Sequence, residues 1–361
     1  MVIIAMQQND YQPLHPNNGK VGSLYFLSAE RCRMKFLFPL EDRAPVNQAR
    51  SDTMEVLFWI AFISIALIVL AVVSYFGLVI TYILYHYFVC ALFKQTKDLK
   101  KCYGSWAVVT GGSYGIGKYY AIELAKRNMN IMLVSRSEEK LKSVSKEIAE
   151  TYGVQSKYVA VDLGSGLEAT QKVAKAIEGL DIGILVNNAG TSGGLPNYFA
   201  NLPRENIWNL LNLNICALTD LVHIVLPQMK SRGRGLIVNV SSVAALAPNP
   251  FSSIYAASKA YVHSFSEAIK VECQGTGVEV QTLAPGYVDT DFIQSNVHLL
   301  PGLFNPSPES FSKSAVATIG HMKWTSGYWS HELQSASLQL LPEFLRQIVM
   351  TLFVDTKTYK S

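Results

Sequence analysis

This 361-residue chain has no clustering of the residues that hold metals. Its five cysteines, Cys32, Cys90, Cys102, Cys216 and Cys273, are scattered, odd in number and without ligand-like spacing. That argues against a metal centre and agrees with a reducing compartment. The formal charge is only +4, and no basic face interleaved with aromatics is present, so nucleic acid is not an expected partner. The most informative absence is of charge: Val56 to Phe93 carries no Asp, Glu, Lys or Arg. As one helix that run would measure roughly 57 Å at about 1.5 Å per residue, against a hydrocarbon core of about 30 Å. Two arrangements absorb the excess: a helical hairpin turning near Ser74 to Gly77, or one span followed by a helix in the interface. The run exceeds the apolar stretch of a cleavable signal and no small-x-small site follows it, so it is expected to be a membrane anchor. Lys94, Lys97, Lys100 and Lys101 come directly after and place this end, with the rest of the chain, on the cytosolic side.

What the remainder does contain is a Tyr255-x-x-x-Lys259 pair, thirteen residues after Ser242. Residues four apart on a helix share a face, so a phenol and an ammonium can share a pocket. A tyrosine that titrates near ~10 is then expected to be drawn down by the adjacent cation, as an acid working at neutral pH requires. The pair alone also fits an aromatic packed beside a snorkelling lysine. Its neighbours decide between them. Trp106-Ala-Val-Val-Thr-Gly-Gly-Ser-Tyr-Gly-Ile-Gly117 reads as strand, tight turn and helix, with Gly111, Gly115 and Gly117 letting the backbone approach a pyrophosphate at a helix N-terminus. Asn130 to Val134 follows as a second strand, completing a βαβ unit. Ser135 and Arg136 sit just beyond it, a hydroxyl and a guanidinium where a cofactor without a 2′-phosphate would be met by a carboxylate, which favours NADP(H). Asp162, after a third strand at Tyr158 to Val161, accepts from the adenine amine or caps the next helix. Ile184-Leu-Val-Asn-Asn-Ala-Gly190 ends an apolar strand in two amides, and Leu211 to Asn214 places another in a helical stretch.

These residues together resemble the short-chain dehydrogenase/reductase family, over most of the chain from about Tyr103 to Ala284 and beyond. The resemblance implies an α/β fold: a Rossmann-type doubly wound parallel sheet with helices on both faces, here preceded by an N-terminal transmembrane segment. It matches Asn214, Ser242, Tyr255 and Lys259 to the family's catalytic tetrad. It implies that Ser242 holds the substrate carbonyl, Tyr255 delivers the proton, Lys259 lowers the tyrosine pKa and grips the nicotinamide ribose, and Asn214 holds a relay water. It also implies NADP(H) contacts from Gly111, Ser113, Tyr114, Gly115, Ile116 and Gly117 in the turn, from Asn188, and from Pro285 and Val288 in the segment that closes over the nicotinamide, beside Ser135, Arg136, Asp162, Tyr255 and Lys259.

Within the family, the anchored layout, Ser135-Arg-Ser-Glu-Glu-Lys140, Pro306 to Glu309 and Thr325 to His331 resemble the 17β-hydroxysteroid dehydrogenase and very-long-chain 3-oxoacyl-CoA reductase group. This implies reduction of a lipid-like ketone, a 3-oxoacyl-CoA or a 17-ketosteroid, at the endoplasmic reticulum membrane. The Gly-Tyr-Trp-Ser-His331 piece also resembles the hydroxysteroid dehydrogenase-like proteins, some of which have lost the catalytic tyrosine, which keeps a silent NADPH-binding protein and a mitochondrial location as alternatives. No C-terminal dilysine signal decides the organelle, and a homodimer is left open. The expected organisation is a poorly ordered extension over 1–53, an anchor over 54–93, a basic linker over 94–102, a reductase domain over 103–335 and an apolar or amphipathic segment over 336–361. Phe292, Ile293, Leu299, Leu300, Leu303 and Phe304 are candidates for a greasy substrate cleft. Met54 is a candidate natural start, because anchored reductases of this kind begin close to the membrane segment; Met1-derived peptides at full abundance in the native protein would refute it.

Overall fold

The computed structural model describes residues 44–89, 98–194, 196–290 and 304–352, and the chain divides into two compact units, Met1–Leu67 and Ile68–Ser361. The helix α1 covers Ala44–Ile83 and ends in a π turn, Leu84–Val89. It is continuous through Ser74 to Gly77, so of the two arrangements the hairpin does not form; a lone glycine with helical neighbours costs only about 1 kcal/mol against alanine and does not break a long apolar helix. The span Arg50–Phe88 is long and apolar enough to cross a bilayer. Of the expected extension 1–53, residues 44–53 are helical and the rest lie outside the described residues.

In the first unit, residues 50–67 are exposed throughout. In the second unit the same helix changes character. Val72, Tyr75, Phe76, Val79, Ile83, His86 and Tyr87 are partly or fully covered while their neighbours are exposed, a helical spacing that marks one packed face. Tyr75 donates to the Ala336 carbonyl at 3.1 Å, and Tyr87 to Glu332 at 2.9 Å.

The remainder of the second unit alternates helix and strand: α2 (Leu99–Tyr103), β1 (Trp106–Thr110), α3 (Gly115–Ala125), β2 (Asn130–Ser135), α4 (Glu138–Tyr152), β3 (Ser156–Ala160), α5 (Leu167–Ile177), β4 (Ile182–Asn187), α6 (Arg204–Leu211), a π turn (Asn212–Ala217), α7 (Leu218–Arg232), β5 (Gly235–Val240), α8 (Ser253–Glu272), β6 (Val278–Leu283), α9 (Pro308–Ala317), β7 (Trp324–Thr325), α10 (Trp329–Leu340) and α11 (Glu343–Leu352). The expected linker therefore ends inside the domain: Asp98 caps α2, and Leu99 and Tyr103 are buried in the core, whereas 94–97 lie outside the described residues.

All seven strands pair in parallel in the order β3-β2-β1-β4-β5-β6-β7. Both faces are covered, so the strands read as unbroken apolar runs, and alternate side chains enter two separate cores. Ala107, Val109, Leu133 and Val186 pack with Tyr120, Leu141 and Phe311 from α3, α4 and α9. Val108, Met132, Leu185 and Ile237 pack on the opposite face with Val173, Leu221 and Val225 from α5 and α7. The stretch Arg204–Arg232, as long as a membrane span, buries Leu218, Leu221, Val222 and Val225 here and belongs to this core. The strand order reverses between β1 and β4, and the crevice beyond the carboxyl ends of these two strands is where such sheets take ligands.

Candidate active site

The turn from β1 to α3 is shaped by close approach. Gly111 has φ +66° and Gly115 φ +56°, values that favour glycine. A Cβ on Gly117 would lie 2.3 Å from the Gly111 carbonyl oxygen and 2.5 Å from Asn188 Nδ2. Tyr114 at the N-cap of α3 supplies no side-chain cap, so the helix directs uncapped N–H groups and its positive dipole end into the crevice. That is a cradle for a pyrophosphate. Asn188 braces it from β4, its amide donating to the Thr110 carbonyl at 2.9 Å, while Thr110 Oγ1 accepts from the Asn188 and Ala189 N–H groups. Ile116 packs at the edge of the core, and its carbonyl accepts from Ser312 on α9.

At the outer end of the crevice the Ser113 and Ser135 hydroxyls meet at 2.8 Å. Arg136 stands beside them, 3.8 Å from Asp162, and Lys140 lies 5.7 Å above the Tyr114 ring. Asp162 caps the turn that follows it, accepting from the Gly164 N–H at 2.9 Å, which is the second of its two expected roles. Lys140 had no individual signal in the sequence, since a helix-start lysine is ordinarily a solvated charge; only the fold carries it to the Tyr114 ring.

The four tetrad residues converge from three elements. Asn214 lies in the π turn between α6 and α7, a local widening that often marks functional positions. Its amide donates to the Thr191 carbonyl and to Ser258 Oγ, both at 3.0 Å, and accepts from the Thr191 N–H at 2.9 Å. Both side-chain donors are engaged, so the amide positions its surroundings. Ser242 follows β5, caps the next turn through the Ala244 N–H at 3.1 Å and donates to the Pro285 carbonyl at 3.4 Å. Tyr255 and Lys259 share a face of α8, with the ammonium 5.8 Å from the phenol ring centroid. Lys259 is buried, donates to the Val240 carbonyl at 2.9 Å, and is flanked by Ser241, whose hydroxyl bonds the Lys259 carbonyl at 2.7 Å. A Cβ on Gly190 would stand 3.3 Å from Asn214 Oδ1 and 3.5 Å from Lys259 Nζ, so this glycine lets the chain pass close to both.

The electrostatics differ from the expectation drawn from the pair. Burial pushes the Tyr255 phenol up to about 12, and the Ser242 hydrogen bond only partly opposes it. Burial likewise pulls Lys259 down to about 8. The ammonium is directed at Val240 rather than at the phenol oxygen, so desolvation outweighs the attraction in both groups. Tyr255 is therefore held protonated, as a proton donor must be.

Behind the tetrad runs a buried amide relay: Asn187 donates to Asn239 and Asn239 to Ser266, each at 2.9 Å. Beside Tyr255 the wall mixes the apolar Leu202, Ile207, Leu210, Phe251 and Ile254 with the polar Ser192, Asn206, Ser252 and Ser253, and Phe251 stands at φ +65°. Val288 has its side chain in the core, so its share in any cofactor contact is main-chain. Of the candidate cleft residues, Phe292, Ile293, Leu299, Leu300 and Leu303 lie outside the described residues; Phe304 is partly buried.

The motif ending in His331 has a structural meaning that its sequence does not display. His331 is fully buried at the start of α10, with Nδ1 3.2 Å from the Gly286 N–H and Nε2 3.0 Å from the Tyr287 carbonyl. These contacts cross 45 and 44 positions, which no local pattern reveals.

The family pattern described as short chain dehydrogenase matches residues 105–298. The inactive hydroxysteroid dehydrogenase-like protein 1 of Homo sapiens is 44% identical over 250 residues, 69% of this chain and 76% of that protein. Very-long-chain 3-oxoacyl-CoA reductase of Homo sapiens is 40% identical over 259 residues, 71% and 82% of the two chains. Among solved structures, a short-chain dehydrogenase from Sphingobium yanoikuyae in complex with NADPH superposes with a TM-score of 0.57 at 30% identity, covering 61% of this chain and 87% of that one.

Proposed function

The chain belongs to the short-chain dehydrogenase family, and from that premise we propose that it is a membrane-anchored NADPH-dependent reductase of a lipid-like ketone. The observation that carries this reading is the complete set Asn214, Ser242, Tyr255 and Lys259 gathered at one crevice, with the phenol protonated and bonded to Ser242. When bound, the cofactor supplies the hydride. Ser242 donates to the substrate carbonyl oxygen and stabilises the charge that develops there. Tyr255 delivers the proton to that oxygen, and the nearby Lys259 ammonium stabilises the phenolate left behind. Asn214 holds Thr191 and Ser258 in place around the lysine.

Preference for the 2′-phosphorylated cofactor is supported by the paired Ser113 and Ser135 hydroxyls, by Arg136 next to Ser135 in the chain, and by Lys140 over the Tyr114 ring. A lipid-like ketone is supported by the apolar part of the wall beside Tyr255, by the anchor helix, and by kinship with a very-long-chain 3-oxoacyl-CoA reductase. The lysines after the apolar helix support a reductase domain on the cytosolic side of the membrane, which we propose is that of the endoplasmic reticulum.

A second reading, a silent NADPH-binding protein, is favoured by the relative named inactive. Purified chain in detergent, given NADPH with a steroid ketone or a long-chain 3-oxoacyl-CoA, separates the two. Reduction of either, slowed about a thousandfold in Tyr255→Phe, establishes the enzyme. NADPH consumption that is equal in both proteins refutes the tyrosine's role; tight NADPH binding without turnover of either ketone supports the silent protein.

A further inference from the structure

We propose that His331 is a positioning residue for the active site, setting the Gly286–Tyr287 main chain and, through the adjoining Pro285 carbonyl, the Ser242 hydroxyl. This inference rests on the reductase reading above and names a part of that site which neither its motifs nor its tetrad include.

The geometry is that of a clamp. The Gly286 N–H donates to Nδ1, so Nδ1 carries the lone pair and Nε2 carries the proton that is donated to the Tyr287 carbonyl. One neutral imidazole thus holds two successive peptide groups with opposite demands, which only that tautomer satisfies. The ring leaves no slack: a Cβ on Gly286 would lie 2.9 Å from His331 Cδ2. The segment it grips is tied on its other side to the active site, because the Pro285 carbonyl accepts from the Val243 N–H at 3.0 Å and from Ser242 Oγ at 3.4 Å. Ser242 in turn bonds Tyr255. The ring itself is wedged between Phe311 and Tyr328, with centroids 5.7 and 5.8 Å away, so it moves only with the core. Glu332, next in the chain, directs its carboxylate elsewhere, to the Ser326 N–H at 2.7 Å and to Tyr87 at 2.9 Å. Burial, only partly opposed by the Tyr287, Phe304 and Ser326 main-chain groups, brings the imidazole down to about 4, which keeps the Nδ1 lone pair available at neutral pH.

The test is NADPH affinity of the detergent-solubilised full chain, read by fluorescence titration, with thermal melting of each variant as a measure of folding. His331→Phe keeps the ring volume and removes both hydrogen bonds; NADPH binding should weaken at least tenfold. His331→Asn, which can restore the acceptor toward Gly286, and His331→Gln, which can restore the donor toward Tyr287, should each recover part of that loss. A folded His331→Phe that binds NADPH as the wild type does overturns the inference. Gly286→Ala provides a second route that does not depend on the phenylalanine variant folding. It should weaken binding in the wild-type background and much less on His331→Ala, where the ring is gone; additive effects overturn the clamp. A wild-type chain that binds no NADPH refutes the cofactor reading itself, an outcome distinct from either of these.

Discussion

Two buried charges in the same unit, Lys259 and Glu332, are each only 5% exposed yet are treated in opposite ways. Glu332 is surrounded by donors: the Ser326 N–H at 2.7 Å, Thr325 Oγ1 at 2.9 Å and Tyr87 at 2.9 Å. Lys259, among the described residues, has one hydrogen-bond acceptor, the Val240 carbonyl. Burial disfavours the charged form of both, raising the carboxyl and lowering the ammonium. The carboxylate has its lone pairs met by the protein and acts as a structural pin between Tyr87, at the end of the long N-terminal helix, and the loop after β7. The ammonium is left with N–H groups to offer, as a group waiting for ligands would be.

Three substitutions bear on that contrast. The largest effect is expected from Glu332→Ala, which takes the acceptor from the Ser326 N–H and leaves the Tyr87 and Thr325 hydroxyls, 2.8 Å apart, with only each other. Urea unfolding of the full chain in detergent should show a loss of about 3 kcal/mol, because hydrogen bonds to a buried charge are each worth more than neutral ones. A loss near zero would mean the pin is decorative. Lys259→Met should act in the other direction, stabilising the NADPH-free protein by about 2 kcal/mol at neutral pH, since an under-solvated charge is replaced by an apolar chain. The folded pKa of Lys259 is lowered to about 8 from 10.5, so the native state binds the proton less well than the unfolded chain. Its penalty is full below pH 8 and fades as the pH rises from 8 toward 10.5, and the variant's advantage should fade with it. If Lys259→Met destabilises as Glu332→Ala does, both charges are structural and the contrast fails. The smallest effect is expected from Tyr87→Phe, about 1 kcal/mol for one hydroxyl removed from a carboxylate that keeps its other donors.

The parts of this protein that could be read from its residues are those written in short-range periods. An alternation of apolar strands with helices, a glycine turn after Thr110, and a four-residue spacing on α8 need only local geometry to be understood. The long apolar helix was equally plain, because the run from Val56 to Phe93 carries no charge. Its form was not. A continuous helix and a hairpin bury similar composition, and what separates them is the packed face from Val72 to Tyr87, created by residues more than two hundred positions away. The tetrad's membership was legible, but its electrostatics were not. The expected lowering of Tyr255 assumed that the ammonium faces the phenol oxygen, whereas the fold turns it to Val240 and desolvates both groups.

The sequence by itself thus determined the sheet, the glycine turn, the four side chains that gather at the crevice and the presence of an apolar span, because each depends on chain stiffness and periodicity within a few residues. Only the tertiary structure decided which buried charge is pinned by donors and which is left open, that His331 clamps Gly286, and that Tyr87 reaches Glu332. Those outcomes depend on desolvation and on hydrogen bonds between segments distant in the chain, and neither exists until the segments have packed.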